Sequence, residues 1–214
     1  MSANASRLVV FVKAPRPGVV KTRLAQTLGA AAACAAYRQI VEVLLTHLAP
    51  LPAVELCFTP ADASADIAPW LRPEWTAVPQ ADGDLGERLH AAFTEHFLAD
   101  AEQVVIIGSD CPTVTATDIE DAWVALDGHD VVLGPALDGG YWLIGLRAPQ
   151  PALFTGIPWS TAAVFGETMR RARESDLRVA LLRELADVDT EADWQRWVKR
   201  SSPQDHCTSQ PSGV

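Results

Sequence analysis

Residues 8–12, LVVFV, form an unbroken apolar run rich in β-branched side chains, the pattern of a strand covered on both faces. Residues 104–107, VVII, repeat it, and further apolar segments at 54–59, 76–78, 130–133, 141–146 and 179–182 predict more strands. Between them the period lengthens. Ala33, Ala36, Tyr37, Ile40, Leu44 and Leu48 recur at helical spacing over 30–48. Leu89, Phe93 and Phe97 follow in i, i+4 steps in a helix that begins near Leu85. A short helix over 22–28 is stopped by Gly29, and Thr117 with Glu120 gives a capping-box start to another. Helices over 161–174, with Ser160 as a natural cap, and over 193–198 complete the reading. Strands alternating with helices predict a three-layer α/β/α fold around a mostly parallel, Rossmann-like sheet.

With 214 residues, one core suffices, so a single domain is expected over 1–200. The Ser-, Gln- and Pro-containing tail over 201–214 is expected to be disordered. Hydrophobic residues make up 49% and charged residues 21%, the mixture of a globular protein. A net charge of -10 excludes a general nucleic-acid or anionic-membrane binder, which needs a basic face. No apolar stretch approaches the roughly 20 residues of a membrane span and no signal peptide is readable, so a cytoplasmic protein without membrane insertion is expected. Cys34, Cys57, Cys111 and Cys207 lack the spacing of a zinc site or a disulfide framework.

In open parallel sheets ligands bind beyond the carboxyl ends of the strands, and three polar clusters stand there: KAPRPGVVKTR, GSDCP and PALDGG. The first places Lys13, Arg16, Lys21 and Arg23, four of the 17 basic residues, between a strand and a helix start, where free N–H groups favour anions. Pro15 and Pro17 stiffen this loop and Gly18 permits close backbone approach to a phosphate. It is not a P-loop, because Val20 stands where GxxxxGK[ST] needs glycine before the lysine. In the second cluster, Ser109 is a candidate phosphate contact, and Asp110 beside it follows a central strand, where a carboxylate needs a cation. A divalent ion bridging to phosphate supplies one; a turn-forming Asp is the plainer reading.

The third cluster sets Asp138 before Gly139, Gly140 and Tyr141. Asp138 either binds metal, activates an acceptor or holds a sugar hydroxyl, or it simply forms an Asp-Gly turn. Asp84 with Glu87 reads as a helix cap, and Asp187 to Thr190 is either a late metal ligand or a cap. Trp159, before Ser160, suits stacking on a base or sugar face or, more plainly, core packing. No histidine pairs with a Ser or Cys in a nucleophilic motif, and Cys111 has no His partner nearby in sequence.

The strings FVKAPRPGVVKTRLAQTLG, GDLGERL, IIGSDCP, VVLGPALDGGYWLIGL and WST, in this order, resemble a family of bacterial GT-A-type glycosyltransferases. More distantly, the chain is similar to 2-phospholactate and molybdenum-cofactor guanylyltransferases. The resemblance covers roughly residues 7–197. It implies the nucleotide-diphospho-sugar transferase fold, with Lys13, Lys21 and Arg23 facing phosphate and Gln80 and Arg88 contacting nucleotide or sugar. It further implies Mg²⁺ or Mn²⁺ on Asp110, with Asp189 in a terminal DxDT element. GT-A enzymes often carry Asp-x-Asp, where this chain has Ser109-Asp110-Cys111.

The expected reaction is metal-assisted transfer of a glycosyl group from a nucleotide-diphospho-sugar to a small acceptor, by a monomer or homodimer. Lys21 and the metal would stabilise the leaving diphosphate and Asp138 would act as base. Gly139, Gly140, Tyr141, Trp159 and Ser160 would form the acceptor and sugar pocket. Transfer of a nucleotidyl group from an NTP, releasing pyrophosphate, is the alternative; a nucleotide-binding regulator without turnover is the third.

Overall fold

The computed structural model describes residues 6–201. Seven strands form one sheet in the order β3-β2-β1-β4-β6-β5-β7: β1 Ser6–Lys13, β2 Val54–Thr59, β3 Thr76–Pro79, β4 Gln103–Gly108, β5 Val131–Pro135, β6 Tyr141–Leu146 and β7 Val179–Leu181. Neighbours pair parallel except β6, which runs antiparallel to both β4 and β5. The hairpin at 136–140 therefore brings the start of β6 to the edge where the other strands end.

The helices are α1 Thr22–Leu28, α2 Ala30–His47, α3 Ser64–Ile67, α4 Leu85–Leu98, α5 Ala116–Gly128, α6 Val164–Glu174 and α7 Glu191–Ser201. Alternation along β1 decides the layers. Leu8, Val10 and Val12 pack with Tyr37, Val41 and Leu44 of α2 and with Ile119 and Leu126 of α5. Val9, Val104 and Ile106 face the opposite way, toward Leu89 and Phe93 of α4 and Ala172 of α6. Both faces are thus covered, as the unbroken apolar strands require. Trp194 and Trp197 of α7 close over Ala36 and Ile40 on the outer side of α2. No described helix is long and apolar enough to cross a membrane.

Two helix starts differ from the sequence reading. The cap of α5 is Thr115 with Asp118, not Thr117 with Glu120. Both strings satisfy the capping pattern, and Asp118 alone also meets Arg183, through two hydrogen bonds of 2.6 and 2.7 Å. Helix α6 starts at Val164 after Ala163; Ser160 sits at φ 63°, in the left-handed region, and is no cap. By contrast, Asp84 and Glu87 form the expected capping box on α4. Ser201 closes α7; the rest of the tail expected to be disordered, 202–214, lies outside the described residues.

Candidate functional site

Strands β1 and β4 lie side by side, with Phe11 opposite Gly108, so the chain leaves them for opposite directions at one point. A cleft of about 810 Å³ opens there. Lys13, Lys21, Arg23, Gln80, Arg88, Ser109, Asp110, Asp138, Gly140, Tyr141, Trp159, Ser160 and Asp189 all border it. Pro15, Gly18 and Gly139 do not: they shape its walls. The Pro15 carbonyl accepts the Cys34 thiol at 2.9 Å, Gly18 takes φ 81° in the loop, and Gly139, at φ 89°, presses against the Ala162 backbone.

Lys21 is the centre of the arrangement. Its Nζ lies 2.6 Å from Asp110 Oδ1 and 2.8 Å from Asp189 Oδ1, with only 3% of the side chain exposed. Burial alone would lower its pKa, but the two carboxylates outweigh that, and the ammonium titrates above its ordinary value. Its backbone is left-handed, φ 49° and ψ 49°, at the N-cap of α1. A non-glycine in that region and a cation at a helix start are both unfavourable; the two aspartates hold it there. Arg23 reaches Asp189 more loosely, at 4.0 Å. Arg16 does not serve the cleft. It pairs with Asp62 at 3.1 Å and Asp66 at 2.7 Å, fastening the loop to α3.

The carboxylates come from three segments that the fold brings together. The Val188 N–H donates to the Asp110 carbonyl at 2.9 Å, so the Asp187 to Asp189 strip runs directly against GSDCP. Burial and the nearby Asp110, Asp189 and Asp138 push the Asp187 carboxyl up to about 7, despite Lys21. Asp138 accepts the Gly140 N–H at 2.9 Å: it makes the Asp-Gly turn and still borders the cleft. Asp110 and Asp189 present the hard oxygen donors that suit Mg²⁺ or Mn²⁺. No group of three or more His, Cys, Asp or Glu side chains among the described residues is placed to hold a metal. A divalent ion would therefore draw its remaining ligands from phosphate oxygens and water, and Lys21 would have to yield its place between the two aspartates.

On the opposite wall, Gln80 donates to the Cys57 carbonyl at 2.9 Å and accepts from Arg88 at 3.3 Å, while Arg88 also donates to the Gly83 carbonyl at 2.9 Å. This network fixes the 80–88 loop. Gly86 then lets the indole of Trp159 approach: a Cβ there would lie 2.4 Å from Trp159 Nε1. Burial pushes the Cys111 thiol up to about 11, which keeps it protonated and unsuited to attack.

Asp187 and Tyr37 are two cleft residues whose individual roles the sequence does not show. Asp187 lies in the 187–190 motif, in which the resemblance singles out Asp189. Tyr37 showed only as an apolar position of α2, yet its hydroxyl accepts the Lys13 backbone N–H at 2.8 Å and lies 3.0 Å from Ser109 Oγ. Spacing revealed its burial, and nothing in a single sequence reveals the partner of a buried hydroxyl.

A mostly parallel sheet with a strand-end cleft of this kind is the fold of nucleotide-diphospho-sugar transferases. Residues 43–161 match the family described as "Uncharacterized protein conserved in bacteria (DUF2064)", and the chain belongs to it. No curated protein matches the chain. Among solved structures, a "putative nucleotide-diphospho-sugar transferase" from Desulfovibrio desulfuricans G20 is 35% identical, with a TM-score of 0.87 over 96% of this chain and 90% of that one. The fold alone is shared with CMP:2-keto-3-deoxy-manno-octonic acid synthetase complexed with CTP, 12% identical, TM-score 0.58, over 91% and 97% of the two chains. It is likewise shared with Rv0371c from Mycobacterium tuberculosis H37Rv in complex with manganese, 15% identical, TM-score 0.50, over 91% and 98%.

Proposed function

We propose that this protein is a GT-A-type glycosyltransferase that moves a sugar from a nucleotide-diphospho-sugar to a small acceptor, within one catalytic domain over 1–200. The observation that carries the reading is the buried Lys21 ammonium between Asp110 and Asp189, inside a cleft whose other cations among the described residues come from the first loop and α4. A diphosphate is the anion that this grouping fits. The likeness to the Desulfovibrio protein supports sugar nucleotide as the donor class.

In this reading Lys13, Lys21 and Arg23 hold the diphosphate, and Lys21 donates to the oxygens on which charge develops as the glycosyl bond breaks. Gln80 and Arg88 face the nucleotide. Asp110 and Asp189 would hold Mg²⁺ or Mn²⁺, which when bound supplies further positive charge to the departing diphosphate. Trp159 and Ser160, with Gly140 and Tyr141, border the sugar and acceptor, and Asp138 takes the proton of the acceptor hydroxyl.

Nucleotidyl transfer is the rival, favoured by the shared fold of the CTP-bound synthetase. A panel of nucleotide-sugars and nucleoside triphosphates, with Mg²⁺ or Mn²⁺, separates the two. Release of a nucleoside diphosphate from a sugar nucleotide is expected; pyrophosphate from a triphosphate, with no diphosphate from any sugar nucleotide, would overturn the assignment.

A further inference from the structure

Tyr37 is 1% exposed and Ser109 5%, so the protons of both hydroxyls need acceptors within the protein or from a ligand. The tyrosine ring is held by its burial in α2 and by the edge of Trp70, at a centroid separation of 6.4 Å. Its oxygen accepts the backbone N–H of Lys13 at 2.8 Å. Burial, and then the charge of Asp110, keep the phenol protonated. That leaves it one proton and one hydroxyl neighbour, Ser109 Oγ at 3.0 Å.

The direction of this second bond follows by elimination. If Ser109 donated to Tyr37, the phenolic proton would face only the Lys13 amide nitrogen, which accepts nothing, and a buried donor would be orphaned. Tyr37 therefore donates to Ser109, and the serine's own proton is turned away from it. Among the described residues Ser109 Oγ has no other hydrogen-bond partner, and Ser109 borders the cleft beside Lys13 and Lys21.

We infer that Tyr37 is a positioning residue: through the chain from the Lys13 N–H to the Tyr37 hydroxyl to the Ser109 hydroxyl, it locks Ser109 as a hydrogen-bond donor to a phosphate oxygen of the bound ligand. The relay ties the loop after β1 to the loop after β4, so the two halves of the phosphate cradle are set before ligand arrives and Ser109 loses no rotor freedom on binding. The inference rests on the reading of the cleft as a diphosphate site.

The test is a double-mutant cycle on affinity for inorganic pyrophosphate and for UDP, each with and without Mg²⁺, using the full chain. Ser109→Ala should weaken binding on the order of ten-fold, and Tyr37→Phe by roughly three- to ten-fold. In the Ser109→Ala background, Tyr37→Phe should cost markedly less than in wild type, the remainder being the lost acceptor of the Lys13 N–H. Unchanged affinity in Tyr37→Phe, or a full additional loss in the double variant, would overturn the inference and leave the diphosphate site standing. If the wild-type chain binds neither probe, the site reading itself fails, and the inference with it. If Tyr37→Phe does not fold, exchange of the phenolic proton by NMR decides: protection present in wild type and lost in Ser109→Ala is expected, and equal protection in both overturns it.

Discussion

The two rims of the cleft carry opposite charge and are built in opposite ways. Three of the basic rim's four cations, Lys13, Lys21 and Arg23, lie within eleven consecutive residues, and only Arg88 comes from elsewhere. The acidic rim is assembled from Asp110, Asp138, Asp187 and Asp189, on three separate segments. One rim is a loop that the sequence spells out in a line. The other exists only when β4, the β5–β6 hairpin and the strip after β7 converge. Lys21 crosses from the first to the second, so the strongest way to break the comparison is to remove it. Lys21→Ala takes away the cation that two carboxylates share and the donor aimed at the leaving group. Release of nucleoside diphosphate should fall by roughly 100-fold or more. A fall of less than ten-fold would detach Lys21 from the chemistry and reduce it to a strut between the rims.

Asp110→Asn tests the acidic rim at the same joint. Nucleotide binding raises the melting temperature of a folded protein by mass action, and in wild type Mg²⁺ should add to the rise produced by UDP. With the carboxylate replaced by an uncharged amide, that rise should be the same with and without Mg²⁺. If Mg²⁺ still adds to it, the metal sits elsewhere or on Asp189 alone. Lys21 should keep its contact with Asp189 in this variant, so the nucleotide should still bind, more weakly.

This contrast also explains what could be read in advance. Long apolar runs bounded by Gly and Pro located β1, β4, β2 and β6, and i, i+4 spacing located α2 and α4, because burial on a regular element leaves a periodic trace. The basic loop was legible for a similar reason: its charges are local. Arg16 shows the limit, since one composition served both the cleft and a clasp on α3, and only Asp62 and Asp66 distinguish them. Asp187 is legible only as part of a candidate motif and Tyr37 only as a buried position, as the role of each is set by groups that lie far off in sequence. The same holds for the start of α5, where two capping strings overlap and the choice falls to an arginine 65 residues from Asp118.

That arginine supports the acidic rim from behind. Arg183 grips Asp118 and donates to the Thr113 carbonyl at 3.0 Å, pinning the segment that leads to Asp187 and Asp189 against the start of α5. Burial alone would raise the Asp118 pKa, but the Arg183 and Thr115 hydrogen bonds hold it below its ordinary value. The folded state therefore prefers the carboxylate. The stability this contributes is present above the ordinary carboxylate range and is lost as pH falls through the folded pKa. Asp118→Asn should cost about 1–2 kcal/mol at pH 7, Arg183 being half exposed. Urea unfolding should show the gap between variant and wild type closing at acid pH. A gap that stays constant as pH falls through the carboxylate range and below it would mean that the charge of Asp118 contributes nothing and packing accounts for the loss.

Arg16→Ala is the smallest of these changes and the cleanest control on the basic rim. Arg16 lies in the same loop as Lys13, Lys21 and Arg23, and by charge alone it is their equal. Its guanidinium is turned outward onto Asp62 and Asp66, however, where solvent screens all three groups. Ion pairs so exposed add little to stability, and among the described residues no contact carries Arg16 to the cleft. Affinity for UDP should therefore stay within roughly two-fold of wild type, the residue of the effect being looser attachment of the loop to α3. Titration at low and at moderate salt sharpens the outcome. A loss that appears at low salt and vanishes at moderate salt reports only the long-range field of one charge. A salt-independent loss of ten-fold or more would place Arg16 among the phosphate ligands and show that the basic rim depends on the whole loop, not on the cations that face the cleft.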